Sequence, residues 1–177
     1  MKYLFYIFNV FGFKICWWAC VLGAINNQKF LGPLMIACYL AIHIICIDIK
    51  YRKSECYLLT VAAILGTTVD SLMLNMDILS YEGMYKSIAY IAPLWITGMW
   101  VGFTATLNHA FKNIMEKYLT QAFLGVVAGP IAYATGNSLG AIKFNSANSD
   151  NFTLAIIAIV WGVSFPLLCW ASNKIRS

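Results

Sequence analysis

The chain of 177 residues is 61% hydrophobic and only 11% charged, with a net charge of +5. Soluble domains are about half apolar and a quarter charged, so this composition excludes an ordinary soluble fold and indicates an integral membrane protein. The basic residues are scattered in short tracts between apolar runs rather than gathered on one stripe. Nucleic-acid binding is therefore not expected, and membrane lipids are the expected partners.

Six continuous apolar segments follow one another along the chain, each about twenty residues long, which is the length that a spanning helix needs. None alternates apolar and polar residues as a barrel strand does, so strand pairing is not expected. The short connections make consecutive helices antiparallel neighbours. The sequence predicts one domain, an all-α polytopic transmembrane bundle with spans at 4–25, 30–49, 57–79, 87–110, 117–138 and 152–171.

Charge predicts the orientation of this bundle. Residues 50–55 are interpreted as a basic loop, 26–29 as a turn, and 140–151 as the longest connection. With six spans, eight basic residues lie on the side of the termini: Lys2, Lys50, Arg52, Lys53, Lys112, Lys117, Lys174 and Arg176. The other side has Lys29, Lys86 and Lys143. The positive-inside rule then places both termini in the cytoplasm.

The six cysteines form no Cys-x-x-Cys pair, and nearly all lie within apolar runs. They are interpreted as small buried hydrophobes. Because no cluster of cysteine and histidine has metal-ligand spacing, no metal site and no cofactor is expected. Lys14 interrupts the first apolar stretch, which favours a retained helix over a signal peptide.

Small residues recur at helical spacing in the fourth and fifth predicted spans. Gly98, Gly102 and Ala105 share one face of the fourth span, and the fifth has Gly125, Gly129 and Gly136. Such faces let helix backbones approach closely in lipid, so these two helices are expected to form the tight centre of the bundle. Pro33 and Pro93 fall near helix starts, whereas Pro130 and Pro166 lie within spans and should kink them.

Ionisable side chains inside a bilayer are costly and require a partner or a role. The candidates form a polar intramembrane network of Lys14, His43, Asp70, Asp77, Asn108, His109 and Asn137. At about 1.5 Å of rise per residue, Lys14 and Asp70 fall near mid-membrane and could meet, and His43 could join Asp70. Asp70 and His43 are therefore the candidate catalytic pair. In the alternative interpretation, His43 has a structural role, the Lys14 side chain extends to the membrane interface, and His109 contacts lipid headgroups at the membrane surface.

Several motifs resemble a bacterial inner-membrane family catalogued as domain of unknown function 2878, over nearly the whole chain. They are Trp17-Trp18, Gly32-Pro33-Leu34, Arg52 with Glu55, Gly66 with Asp70, Ala92-Pro93-Leu94-Trp95, Leu107-Asn108-His109 and Gly129-Pro130. The resemblance implies a bacterial source and an inner-membrane location, and it brings no assigned activity or catalytic residue.

A looser pattern of Pro33, Gly66, Asp70 and His109 is similar to lysoplasmalogenase-type membrane hydrolases. The chain departs from that pattern with Gly32 where those proteins have a lysine, and with three residues between Gly66 and Asp70.

Three hypotheses for function follow from these observations. The first is a non-enzymatic component, either a small transporter or an accessory in envelope lipid metabolism. The second is an intramembrane lipid-modifying hydrolase that uses an Asp70/His43 acid–base pair. The third is a purely structural membrane subunit. No nucleophile motif or Walker-type motif is present to decide among them, and self-association or a membrane-complex partner stays open.

Overall fold

The computed structural model describes residues 2–176, with the side chains of Lys2 and Tyr3 outside that description. The predicted all-α architecture is confirmed over this range. Its six helices are α1 (Lys2–Ile25), α2 (Leu31–Cys46), α3 (Ile49–Asn75), α4 (Leu94–Ala110), α5 (Tyr118–Ser138) and α6 (Asp150–Arg176).

Two helix boundaries differ from the sequence prediction. The basic segment 50–55 is not a loop but the first turns of α3, because the Asp48 side chain accepts a hydrogen bond from the Lys50 amide at 3.2 Å and caps the helix. The fourth helix begins at Leu94 rather than at residue 87. Pro93 precedes it, and a proline disfavours helical geometry in the residue before it, so 87–92 cannot run into α4.

The expectation of no strand pairing was wrong at one end of the bundle. Two short strands, β1 (Leu79–Tyr81) and β2 (Ile142–Phe144), pair antiparallel and join the connection after α3 to the one after α5. An ion pair between Lys143 Nζ and Glu82 Oε1, 2.5 Å apart, stabilises this two-stranded ribbon of β1 and β2. The ribbon closes the end of the bundle opposite the two chain termini.

The fourth and fifth helices were expected to form the tight centre of the bundle, but they pack on different neighbours. Helix α4 packs against α1, α2 and α3, whereas α5 packs chiefly against α6. Gly98 and Gly102 lie against Ile36 of α2. Gly125 and Gly129 accommodate Trp161 of α6, so the small residues of α5 pack on α6.

The helices alternate in direction, so that α1 begins where α2, α4 and α6 end. Three helical segments are long and apolar enough to span a bilayer, namely Leu4–Ile25, Ile49–Asn75 and Asp150–Arg176, and α2 is a shorter apolar helix. Apolar side chains project outward halfway along them: Ile64 is 65% exposed and Ile159 is 67% exposed. This outer surface is that of a membrane protein.

Candidate functional site

A buried polar cluster lies at the end of the bundle where both chain termini meet, and Glu55 is at its centre. The first turns of α3 place the Glu55 carboxylate inside the bundle, with no exposed surface. His43 Nε2 of α2 lies 3.3 Å from Glu55 Oε1, and Arg176 Nη2 of α6 lies 2.5 Å from Oε2. Each carboxylate oxygen thus has its own partner, which a buried charge requires.

The orientation of His43 is fixed by Asn9 of α1. The Asn9 amide nitrogen donates to the Phe5 carbonyl at 2.8 Å, while its Oδ1 accepts from the Tyr39 hydroxyl at 3.0 Å. That same Oδ1 lies 2.7 Å from His43 Nδ1. Because the amide oxygen can only accept, Nδ1 carries a proton. His43 therefore presents Nε2 to the Glu55 carboxylate.

His109, near the end of α4, completes the cluster. Its ring meets the His43 ring edge to face, with centroids 5.2 Å apart. One nitrogen of each histidine and one Glu55 carboxylate oxygen all lie within 4.8 Å of one another. Within residues 2–176, the buried His109 Nε2 has no hydrogen-bond partner. A buried polar atom of this kind in a native structure calls for an explanation.

A cavity of about 580 Å³ opens beside this cluster. Its polar wall includes Asn108, His109, Lys112 and Arg176, and the apolar part includes Phe5. The Arg176 guanidinium is held between Glu55 and the Tyr51 ring, 5.0 Å from the ring centroid. His43 and Glu55 lie one layer behind this wall, so His109 is the member of the histidine pair that faces the cavity.

Asp70 lies in a separate cluster. Its carboxylate accepts hydrogen bonds from the Tyr81 hydroxyl, from the Tyr133 hydroxyl at 2.5 Å and from Trp100 Nε1 at 2.5 Å. Asp70 is fully buried. Burial and the neighbouring Asp70 charge raise the pKa of Tyr81 well above its ordinary value, so this hydroxyl stays protonated and remains a donor.

An apolar cavity of about 240 Å³ lies beside the Asp70 cluster, between α1, α4, α5 and α6. Trp100 and Tyr133 form part of its wall. The Trp100 indole reaches Asp70 because Gly66, one turn before Asp70, has no side chain; a Cβ there would lie 2.0 Å from Trp100 Cγ. The Gly66…Asp70 spacing thus serves the packing of Trp100.

The structure divides the predicted polar network into parts. His43, Asn108 and His109 come together, but Asp70 is 15 residues from Glu55 along α3, about 22 Å at the usual rise, so Asp70 does not pair with His43.

The other predicted residues have different roles. Lys14 is exposed on α1 and makes no ion pair with Asp70. Asn137 accepts a hydrogen bond from the Phe144 amide, and the Asp77 backbone carbonyl accepts one from Asn145, so both hold the ribbon end together.

Three residues of the cluster were missed at the sequence level. Glu55 was placed in a loop, where a charge needs no explanation, and only the Asp48 cap signal could have extended the helix to include it. Arg176 was counted as a tail charge for orientation. Asn9 is a polar residue within an apolar run, and this pattern could have identified it as a candidate member of the network.

These features define the chain as a predominantly helical membrane protein with a buried histidine–glutamate cluster beside a cavity whose wall includes Arg176, Lys112 and Asp48. It belongs to the family described as protein of unknown function (DUF2878), whose family model matches residues 6–167. The family recognised from the sequence motifs is thereby confirmed. Neither the curated proteins nor the solved structures contain a match.

Proposed function

We propose that this chain is a multi-pass protein of the bacterial inner membrane, with six spanning helices and both termini in the cytoplasm, and that it hydrolyses an ester in an anionic membrane lipid. The observation that carries the proposal is the unpartnered His109 nitrogen beside Glu55, at the wall of a cavity lined by Arg176. The carboxylate of the cluster is Glu55 rather than the Asp70 of the sequence hypothesis.

The walls of the cavity indicate the class of substrate. Arg176 and Lys112 outnumber the one acidic residue of the wall, Asp48, and this excess of positive charge suits the phosphate or carboxylate of a lipid headgroup. Phe5, Tyr6 and Ile47 provide an apolar side for the adjoining chain. The basic residues are concentrated at this end of the bundle, which supports a cytoplasmic position for it. The substrate is thus reached from the cytoplasmic leaflet.

The chemistry expected of His109 is general base and acid catalysis. As the oxygen of a water molecule bonds to the carbonyl carbon or phosphorus of the ester, the water gives one proton to the His109 imidazole. The bond to the leaving alcohol breaks, and the imidazolium returns that proton to the departing oxygen. The Glu55 carboxylate, within 4.8 Å of the cluster nitrogens, stabilises the imidazolium.

Two other functions are less well supported by this geometry. A transport path would have to link the cluster with the opposite end of the bundle, but Asp70 lies about 22 Å away along α3 and three donors already occupy it. A purely structural cluster leaves the buried His109 nitrogen without a purpose. We therefore prefer hydrolysis over the transporter, accessory and structural hypotheses.

The test uses the purified chain in vesicles of phosphatidylglycerol, with phosphatidylcholine vesicles for comparison and mass spectrometry of the lipid products. We expect cleavage of the anionic lipid. The rate should fall about 100-fold or more in Glu55→Gln and His109→Gln, the usual contribution of a general base. Glu82→Gln, at the opposite end, should retain the wild-type rate.

Size-exclusion chromatography verifies that each variant is folded before its rate is compared. The proposal is wrong if neither vesicle type yields products and the lipid composition of cells lacking the protein matches that of the parent strain. Equal rates for Glu55→Gln and Glu82→Gln would show that the Glu55 cluster takes no part in the reaction.

A further inference from the structure

We infer that His43, Glu55 and His109 bind a divalent first-row transition-metal ion. Three ligands from three different helices meet here: two imidazole nitrogens and a carboxylate oxygen within 4.8 Å of one another. Two histidines and one carboxylate, with a further position for water, form the ligand set of catalytic zinc sites, and non-haem iron uses the same residue types. Calcium and magnesium prefer all-oxygen ligands, so they fit this set less well.

The spacing of the ligand atoms suits such an ion. Tetrahedral bonds of about 2.05 Å hold ligand atoms about 3.4 Å apart. His43 Nε2 and Glu55 Oε1 are 3.3 Å apart, so this pair already has the required separation. His109 has to approach the other two ligands by no more than about 1.4 Å, the excess of the 4.8 Å limit over that separation, which a small side-chain rotation provides.

The surrounding groups orient the ligands as the outer shell of a metal site does. Asn9 holds the Nδ1 proton of His43, so the proton that Nε2 directs at Glu55 is the one released when an ion takes its place; ligating histidines almost always donate their other N–H in this way. Arg176 binds Oε2 of Glu55 and leaves Oε1 facing His43. The unpartnered His109 Nε2 is explained as the third ligand.

The cavity provides the remaining position. His109 and Asn108 lie in its wall, so a water molecule or a substrate oxygen can reach an ion held behind them. The charge of the ion and of Arg176 together exceeds that of Glu55, which favours an anionic fourth ligand. A catalytic role for the ion rests on the proposed hydrolase function. In that reaction the ion, rather than His109, would activate the water molecule. Its binding is independent of that function.

The experiment measures metal content and affinity rather than activity. The full-length protein in detergent is stripped with a chelator, loaded with Zn²⁺ alone, and analysed by plasma mass spectrometry and by competition with a chromophoric chelator. We expect one Zn²⁺ per chain. We further expect Glu55→Gln and His109→Gln to lose it, and Asn9→Ala to bind about 10- to 100-fold more weakly, as changes in the outer shell do.

Two controls separate this site from the cysteines and from general effects on the fold. Glu82→Gln should keep full occupancy, and so should Cys46→Ser, a substitution within the cavity wall. Co²⁺ in place of Zn²⁺ should give ligand-field absorption without a thiolate charge-transfer band. A folded wild-type protein that retains no Zn²⁺, or zinc that is lost in Cys46→Ser and kept in His109→Gln, overturns the inference.

The outcomes for metal binding and for hydrolysis can be told apart. Hydrolysis by a folded protein that retains no Zn²⁺ after loading would contradict the metal site and leave the proposed function intact. One bound Zn²⁺ per chain with no lipid product would support the site and contradict the proposed function.

Discussion

At the scale of single residues, Asp70 is a packing centre of the fold. Its carboxylate on α3 accepts hydrogen bonds from Tyr81 on β1, from Trp100 on α4 and from Tyr133 on α5. An ionised carboxylate is acceptor-only, which matches three converging donors. One side chain therefore links α3, β1, α4 and α5. These hydrogen bonds explain why a carboxylate is kept inside the bundle, which the sequence alone did not explain.

We expect Asp70→Asn to destabilise the protein by about 1–3 kcal/mol, the cost of leaving a buried polar group unsatisfied. The asparagine amide replaces one acceptor oxygen by a donor, which then faces a hydroxyl or indole hydrogen. Thermal unfolding in detergent measures the effect. If Asp70 served catalysis alone, the variant would unfold at the wild-type temperature.

The matched control is Asp77→Asn. Asp77 is exposed and has a positive φ of 52°, a conformation that asparagine adopts readily, so the same substitution should leave the unfolding temperature unchanged. A loss of stability equal to that of Asp70→Asn would show that charge removal, rather than the three hydrogen bonds, causes the effect.

The sequence identified part of the histidine cluster. His43, Asn108 and His109 were recognisable because polar side chains inside apolar runs need partners. Glu55 was not recognisable, because the free-energy cost of burying its carboxylate arises only if the helix begins at residue 49 rather than at residue 57. The members of the cluster come from α1, α2, α3, α4 and α6, and no local spacing predicts which ends of five helices converge.

At the scale of elements, α5 and α6 make a close contact with backbone that depends on missing side chains. A Cβ at Gly125 would lie 2.2 Å from the Trp161 carbonyl oxygen, and one at Gly129 would lie 2.5 Å from the Trp161 ring. Backbone cannot move aside as a flexible side chain can. The Gly125 contact is thus a strict requirement for glycine, independent of backbone conformation.

We expect Gly125→Ala to destabilise the protein by about 1–3 kcal/mol, because the new methyl group forces α5 away from α6. Gly98→Ala is the control. Its Cβ would meet only the Ile36 side chain at 3.3 Å, and alanine favours helix by up to about 1 kcal/mol over glycine, so the two effects nearly offset. Thermal unfolding of both variants in one detergent makes the comparison. Equal losses would contradict the close backbone contact.

The small residues of α4 and α5 show what the sequence could predict at this scale. Their spacing correctly marked faces of close approach, but it did not identify the partner of either face. Trp161 occupies the α5 groove, and Ile36 and Phe13 occupy the α4 face. A stripe of small residues describes the shape of a surface, and the element that fills it is decided by long-range packing. The helix starts depended likewise on Asp48 and Pro93, local signals within reach of sequence reasoning.

At the scale of the whole molecule, the polar groups are divided between two ends with different tasks. The end with the chain termini holds the Glu55 cluster and its cavity. The ribbon end is closed by strand pairing, by hydrogen bonds that Asn145 and Lys143 donate, and by one that Asn137 accepts. Both ends of the chain contribute to the site, through Asn9 and Arg176. The site therefore requires both the first and the last helix of the bundle.

Which end faces the cytoplasm decides where a substrate enters, and cysteine labelling in intact cells can determine it. In a background with the six native cysteines replaced, Asn113→Cys lies in the exposed connection between α4 and α5, and Ser146→Cys in the exposed connection before α6. A membrane-impermeant maleimide should label only Ser146→Cys, and Asn113→Cys should react after the cells are permeabilised. The physical reason is the eight-to-three excess of basic residues at the Glu55 end, since such segments resist translocation. The reverse pattern would place the Glu55 cluster on the outer face, and the substrate would then have to come from the outer leaflet.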